Sequence, residues 1–170
     1  AALGASSLFA NTTGTTNTAV GATSMYANTT GSENTAVGTY ALDANTTGSA
    51  NTGIGMNALS ANITGSNNVA VGKGALQTAN SPSDNTAVGI SAAEQITTGA
   101  YNTALGSASL YLQTTASHNI GGGYFALRNV TTGSGNIAVG NQAGYSRGTS
   151  GEGVFIGHSA GYYQTGASVV

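Results

Sequence analysis

Along this chain a short apolar word closed by glycine returns at a constant interval: NTAVG spans Asn17 to Gly21 and recurs, unchanged, at Asn34 to Gly38, seventeen residues on. Stepping by seventeen from Gly4 reaches Gly21, Gly38, Gly55, Gly72, Gly89, Gly106, Gly123, Gly140 and Gly157 without insertion or deletion. Four residues earlier stand Asn17, Asn34, Asn51, Asn68, Asn85, Asn102, Asn119 and Asn136, with Gly153 in the last copy. The residue just before the glycine is Val, Ile or Leu in every unit but one, where Gly122 stands. Three after it comes Ala or Ser, and then mostly Leu or Met: Leu8, Met25, Leu42, Leu59, Leu76, Leu110 and Leu127. A second glycine rank, in NTTG, holds Gly14, Gly31, Gly48, Gly65, Gly99 and Gly133, with Pro82, Ala116, Ser150 and Ala167 replacing it elsewhere. A fixed period near 20 residues signals a solenoid or array and overrides local guesses.

In NTAVG the two-residue alternation puts Thr and Val on one face and Asn, Ala and Gly on the other. Glycine ends the strand at a bend that needs a positive φ or a close backbone approach, and the second glycine is expected to do the same. Two short extended segments and two turns would then make one coil. One coil buries too few apolar groups to offset the ordering of its backbone, so it must stack on neighbours. At about 4.8 Å per strand, ten coils make a rod about 48 Å long. The recurrent Asn suits an internal amide ladder, each side chain bonding the next. The strand is apolar on both faces, which predicts that it is sandwiched, with Ala19, Ala36, Ala70, Ala87, Ala104 and Ala138 meeting other chains. The pattern predicts an all-β parallel solenoid of ten 17-residue coils, a single repeat domain over 1–170, read as a segment of a longer fibre protein.

The unit N-T-A-V-G-x-x-A-L-x-x-N-T-T-G-S-x resembles an array found in phage tail fibres and large bacterial surface proteins, often ahead of an autocatalytic chaperone domain. It is also similar, with a shorter strand motif and a longer unit, to the head repeats of trimeric autotransporter adhesins. The resemblance covers the whole chain. It implies a left-handed parallel β-roll whose three copies associate side by side as a homotrimeric fibre. It further implies an extracellular place, on a virion or bacterial surface, and a host-surface glycan or protein receptor engaged through the whole fibre. No ligand-binding residue transfers with it.

Composition narrows the chemistry. Charged residues are 5% of the chain and the net charge is −2, with Lys73, Arg128 and Arg147 far apart, so no basic surface is expected to bind nucleic acid. Apolar runs are too short for a membrane-spanning helix, and cysteine is absent. His118 and His158 sit at different phases of the repeat. Glu33, Asp84 and Glu152 share a phase but lie three and four coils apart, about 14 and 19 Å, too far for a catalytic dyad or shared metal. No phosphate loop and no calcium-roll pattern occurs. We therefore expect no enzymatic activity, no catalytic, cofactor-binding or metal residues, and no cofactor.

Two features point towards recognition. Phe9, Tyr26, Tyr111, Tyr145 and Tyr162 share a phase that elsewhere holds Asp43, Ser60, Gln77, Glu94 and Arg128, and a phase accepting both Tyr and Arg faces solvent. Tyr26, Tyr111, Tyr145 and Tyr162 are thus candidate surface contacts for a sugar or protein. The Thr rank Thr13, Thr30, Thr47, Thr64, Thr98, Thr115, Thr132 and Thr149 supports an alternative, an ice-binding solenoid. Asn11, Asn28, Asn45, Asn62 and Asn129 match the N-x-[ST] acceptor pattern, which repeat geometry also explains. The preferred expectation is a structural fibre or adhesin shaft that presents a receptor-binding tip.

Overall fold

The computed structural model describes residues 1–163, and Ala167 of the second glycine rank lies outside them. Ten strands follow one another up a rod: β1 (Ala2–Leu3), β2 (Thr18–Val20), β3 (Thr35–Val37), β4 (Thr52–Ile54), β5 (Val69–Val71), β6 (Thr86–Val88), β7 (Thr103–Leu105), β8 (Ile120–Gly122), β9 (Ile137–Val139) and β10 (Val154–Ile156). Each pairs in parallel with the next in sequence order, forming one ten-stranded sheet. The register repeats the sequence period: Thr18 faces Thr35, Ala19 faces Ala36 and Val20 faces Val37. The architecture is a β-solenoid, and no helix occurs among the described residues.

The expected second extended segment does not form. Each coil carries one strand of two or three residues, and tight turns make up the rest. These turns hold left-handed residues that are not glycine, such as Thr23 (φ 54°), Met25 (φ 51°) and Glu33 (φ 61°) within one unit. Each such residue costs about 1–2 kcal/mol. The turns survive because they too bond to neighbouring coils. Leu42 N–H donates to Ala58 O at 3.0 Å, Thr46 N–H to Ile63 O at 2.9 Å, and Tyr40 N–H to Ala22 O at 3.1 Å in the opposite direction. The Leu rank sits at one of these left-handed positions, φ 50–53° from Leu42 to Leu127, with its side chains fully buried.

The two glycine ranks differ in what they require. In the first, φ lies between 122° and 140°, and a Cβ on Gly38 would stand 2.6 Å from Gly55 O. In the second, φ is not left-handed, so of the two expected reasons the close backbone approach is the one that applies. A Cβ on Gly31 is instead excluded by Gly48 O at 2.3 Å and Asn28 Oδ1 at 2.5 Å. The left-handed turn falls two residues later, at Thr16, Glu33 and Ala50.

Ala19, Ala36, Ala70, Ala87, Ala104 and Ala138 point into the coil and are wholly buried there against the Leu rank. This corrects the expectation that alanine meets other chains: its own coil closes over it. The opposite face, Thr and Val, turns outward.

The cross-section changes near the C-terminal end by a compensated exchange. Phe155 replaces the inward Ala, while Gly144 and Gly161 replace the Leu of two successive units. A Cβ on Gly161 would lie 2.2 Å from the Phe155 ring, so the ring occupies space that Leu fills elsewhere. Arg147 takes an inner Asn position, buried with Cζ 4.9 Å from the Phe155 ring centroid.

Candidate functional site

The two Asn ranks lie inside the rod and act on backbone. Asn34 N–H donates to Asn17 Oδ1 at 3.0 Å, and Asn34 Nδ2 donates to Gly48 O at 2.8 Å. Asn51 repeats this with Asn34 Oδ1 and Gly65 O. Direct amide-to-amide contacts join part of this rank, Asn68 Nδ2 to Asn51 Oδ1 and Asn102 Nδ2 to Asn85 Oδ1, each 3.0 Å. A more regular side-chain ladder runs through the NTTG asparagines: Asn28 Nδ2 to Asn11 Oδ1 at 2.8 Å, Asn45 to Asn28 at 2.7 Å and Asn62 to Asn45 at 2.9 Å. It stops where Ala79 follows, and Asn62 Oδ1 is left buried without a partner among the described residues. Asn28, Asn45 and Asn62 are fully buried, so folded chain offers no glycan acceptor at these three.

The outer face of the sheet is the first candidate surface. Val37, Ile54, Val88, Leu105 and Val139 keep 36–47% of their surface exposed in a straight rank. Beside them runs Thr18, Thr35, Thr52, Val69, Thr86, Thr103, Ile120, Ile137 and Val154. Both ranks are uncharged over the length of the sheet. An uncharged face with an exposed apolar rank is a candidate for interaction.

The second candidate is a corner rich in aromatic rings. Phe9 and Tyr26 stack at 5.2 Å, and Tyr145 and Tyr162 at 4.7 Å, each pair 3° from parallel. Tyr26 is exposed, while Tyr111, Tyr145 and Tyr162 are half-buried. Tyr111 donates its hydroxyl to Glu94 Oε1 at 3.3 Å. Arg128 lies between rings, its Cζ 5.0 Å from the centroids of Tyr111 and Phe125 and 5.9 Å from that of Tyr145. Tyr124 stacks on Phe125 at 3.8 Å. Phe125 meets Tyr145 edge-on at 5.9 Å, and Tyr163 meets Tyr162 edge-on at 4.5 Å. Burial beside Tyr145 and Tyr163 pushes the Tyr162 phenol above its ordinary value. Sequence phase groups Tyr111, Arg128, Tyr145 and Tyr162; it misses Tyr124, Phe125 and Tyr163, which join from neighbouring phases across the coil.

The remaining chemistry-bearing residues stay dispersed. His118 stacks on Tyr101 at 5.1 Å, and His158 contacts Ser159. Among the described residues no three of His, Asp and Glu gather where they could hold a metal ion. Among the described residues no helix is long and apolar enough to cross a membrane. The Thr rank Thr13 to Thr149 is exposed on a bend. The preceding rank spends its hydroxyls on the next coil, as Thr29 Oγ1 does on Thr46 O at 3.0 Å.

Asp43 is half-buried in the aromatic rank, and burial raises its carboxyl above the usual 3.8, opposed by hydrogen bonds from its own and the Ala44 amide. A raised carboxyl pKa means the folded chain disfavours the charge. Stability is therefore highest below the unfolded value and falls as pH rises through the window between the unfolded and folded values. Asp43→Asn is expected to raise the Tm at pH 7, with the gain shrinking as pH falls through that window towards 3.8 and gone below it. Thermal melts of both chains from pH 3 to 8 check it, and an equal difference at every pH would refute the burial argument.

Comparison with protein-family models, with curated proteins and with solved structures finds no match to this chain.

Proposed function

We propose that the chain is a shaft segment of an extracellular fibre, on a phage tail or bacterial surface, in which three copies stand side by side and support a receptor-binding tip. The observation that carries this reading is the uncovered Val, Ile and Leu rank on the outer face of the sheet, from Leu3 to Ile156. Its apolar side chains recur once per coil except at Gly122, so only a partner with the same axial repeat can interdigitate with it along the whole rod. A further copy of this chain has that repeat. Parallel sheets are ordinarily covered on both faces, and here one chain covers only one. The motif resemblance supports the trimer and the setting, and low charge with short turns suits a mechanical rod more than a catalyst.

Light scattering on the chain, with circular dichroism on the same sample, tests it. The expected result is a β-rich species of three times the 16.5 kDa chain mass. Val88→Asp, on the outer rank, is expected to shift that mass towards a single chain while the β signal persists. A β-rich monomer at high concentration would remove the fibre reading.

A further inference from the structure

We propose that the corner built around Arg128 binds a carboxylate-bearing saccharide. The rings there are not required by the stack. At the phase of Tyr111, Arg128, Tyr145 and Tyr162 the middle coils carry Asp43, Ser60, Gln77 and Glu94, with Phe9 and Tyr26 at the far end, and at the phase of Phe125 the coils after Tyr40 carry Asn57, Gly74, Ser91 and Ala108, in unbroken register. The concentration of rings in the last coils is local.

Their contacts form a continuous surface, Tyr124 to Phe125 to Tyr145 to Tyr162 to Tyr163, in steps of 3.8–5.9 Å between centroids. Tyr145 is half-buried, one face stacked on Tyr162 and its hydroxyl 3.5 Å from Arg128 Nη1. The open rings are at the two ends, Tyr124 with 46% and Tyr163 with 81% of its surface exposed. The negative face of an aromatic ring attracts positively polarised C–H groups, which a pyranose offers on its apolar side. Two open rings joined by a continuous run of half-buried rings suit a short oligosaccharide laid across the coils.

Arg128 adds the charge. Its guanidinium is fixed by the flanking rings and by Nη1 hydrogen bonds to Asn129 Oδ1 at 3.0 Å and Tyr145 Oη at 3.5 Å. No described residue accepts from Nη2. A cation already ordered loses less entropy on pairing with a carboxylate than a free side chain does. The carboxylate of its own rank, Glu94, is one coil beyond Tyr111 and already accepts the hydroxyl of Tyr111. On a chain of net charge −2 this corner therefore presents an unpaired positive group among rings. Amides and hydroxyls at Asn129, Gln142 and Ser146 share the corner's phases, matching sugar hydroxyls better than the apolar pockets of a protein hot spot.

This reading deepens the fibre proposal by naming where a shaft would touch a surface glycan, and one sample separates the two. The chain has no Trp, and five of its eight Tyr, Tyr111, Tyr124, Tyr145, Tyr162 and Tyr163, belong to the corner, so most of the tyrosine emission comes from it. It is titrated with trigalacturonic acid and 3′-sialyllactose, with maltotriose as the neutral probe and light scattering run alongside. Binding of at least one acidic sugar, at least tenfold tighter than maltotriose and weakened by salt, is expected. Arg128→Gln is expected to weaken it about tenfold and Tyr163→Ala several-fold, while Tyr26→Ala, on the distant pair, leaves it unchanged. Tyr163 is at the exposed rim, so its variant reads the site even if Arg128→Gln disturbs the stack. No response to either acidic sugar, equal response to maltotriose, or indifference to both corner variants overturns the proposal. So does saturable binding of a protein alone. A monomer that still binds would sink the fibre reading and spare this one.

Discussion

Replacing Gly89 by valine is expected to destabilise the rod by about 4–5 kcal/mol or more, because two independent penalties meet at one atom. The backbone at Gly89 has φ 136°, which L side chains rarely adopt, at a cost of order 1–3 kcal/mol. A Cβ there would also stand 2.6 Å from Gly106 C, 2.7 Å from Gly106 O and 2.9 Å from Ser107 N, all backbone. Backbone cannot step aside as a flexible side chain can. To make room the two coils must part, and Gly106 N–H loses its 2.8 Å bond to Val88 O. Since each coil contacts only its neighbours, a break in the middle divides the stack. Melting and hydrogen exchange check the outcome, with amides of the flanking coils expected to lose protection first. The control is Gly74→Ser. Gly74 has φ 68°, the atoms around its Cβ are side-chain ends, and the same phase holds Ser6 and Ser91 at φ 57° and 54°. That variant is expected to cost no more than about 1–2 kcal/mol. Equal effects of the two would show that the close approach of the first glycine rank is misplaced.

Asn51→Ala is expected to cost about 3–4 kcal/mol, the second largest effect. Asn51 Oδ1 accepts from both the backbone N–H and the Nδ2 of Asn68 at 3.0 Å, and its own Nδ2 donates to Gly65 O at 2.8 Å. Alanine leaves the Asn68 N–H without an acceptor in a fully buried place, worth about 1–3 kcal/mol by itself. The vacated amide volume and the lost bonds add to it. Gly65 O still receives Asn62 Nδ2 at 3.0 Å, which limits the loss on that side. For a chain of this length the shift in Tm is on the order of 10 °C, read by thermal melting. A shift under 2 °C would mean that water replaces the side chain and that the ladder contributes little. The interior itself illustrates the demand. Where Gly153 breaks the rank, Arg147 Nη2 reaches Asn136 Oδ1 at 3.2 Å and Gly151 O at 2.8 Å, so polar groups are still bonded after the amide has gone.

The period, the parallel register and the strand position were legible in the residues, because a stack bonded coil to coil repeats its sequence with its geometry. Leu42 shows what was not legible. Leucine rarely adopts left-handed φ, so nothing in ALDAN announces a turn at φ 52°, and an extended segment was the natural expectation. The turn is held by bonds to adjacent coils, such as Leu42 N–H to Ala58 O, and by burial of its side chain, both of them contacts distant in sequence. The outward direction of valine was hidden for a similar reason. Alternation tells that Ala19 and Val20 face opposite ways, but which face is inside depends on which side the chain curls towards.

The candidate corner divides along the same line. Tyr111, Arg128, Tyr145 and Tyr162 could be grouped by counting, since equal phase means neighbouring coils. Tyr124, Phe125 and Tyr163 could not, because contact between different phases depends on how sharply the coil bends between them. The sequence alone determined that this is a stacked rod of 17-residue coils, with a glycine in each unit and asparagine in eight. Tertiary structure decided that alanine fills the rod, that valine remains uncovered, and that Arg128 lies clamped among rings. Periodicity sets translation along an axis; the path of the chain around that axis comes from packing between coils, which a one-dimensional pattern does not contain.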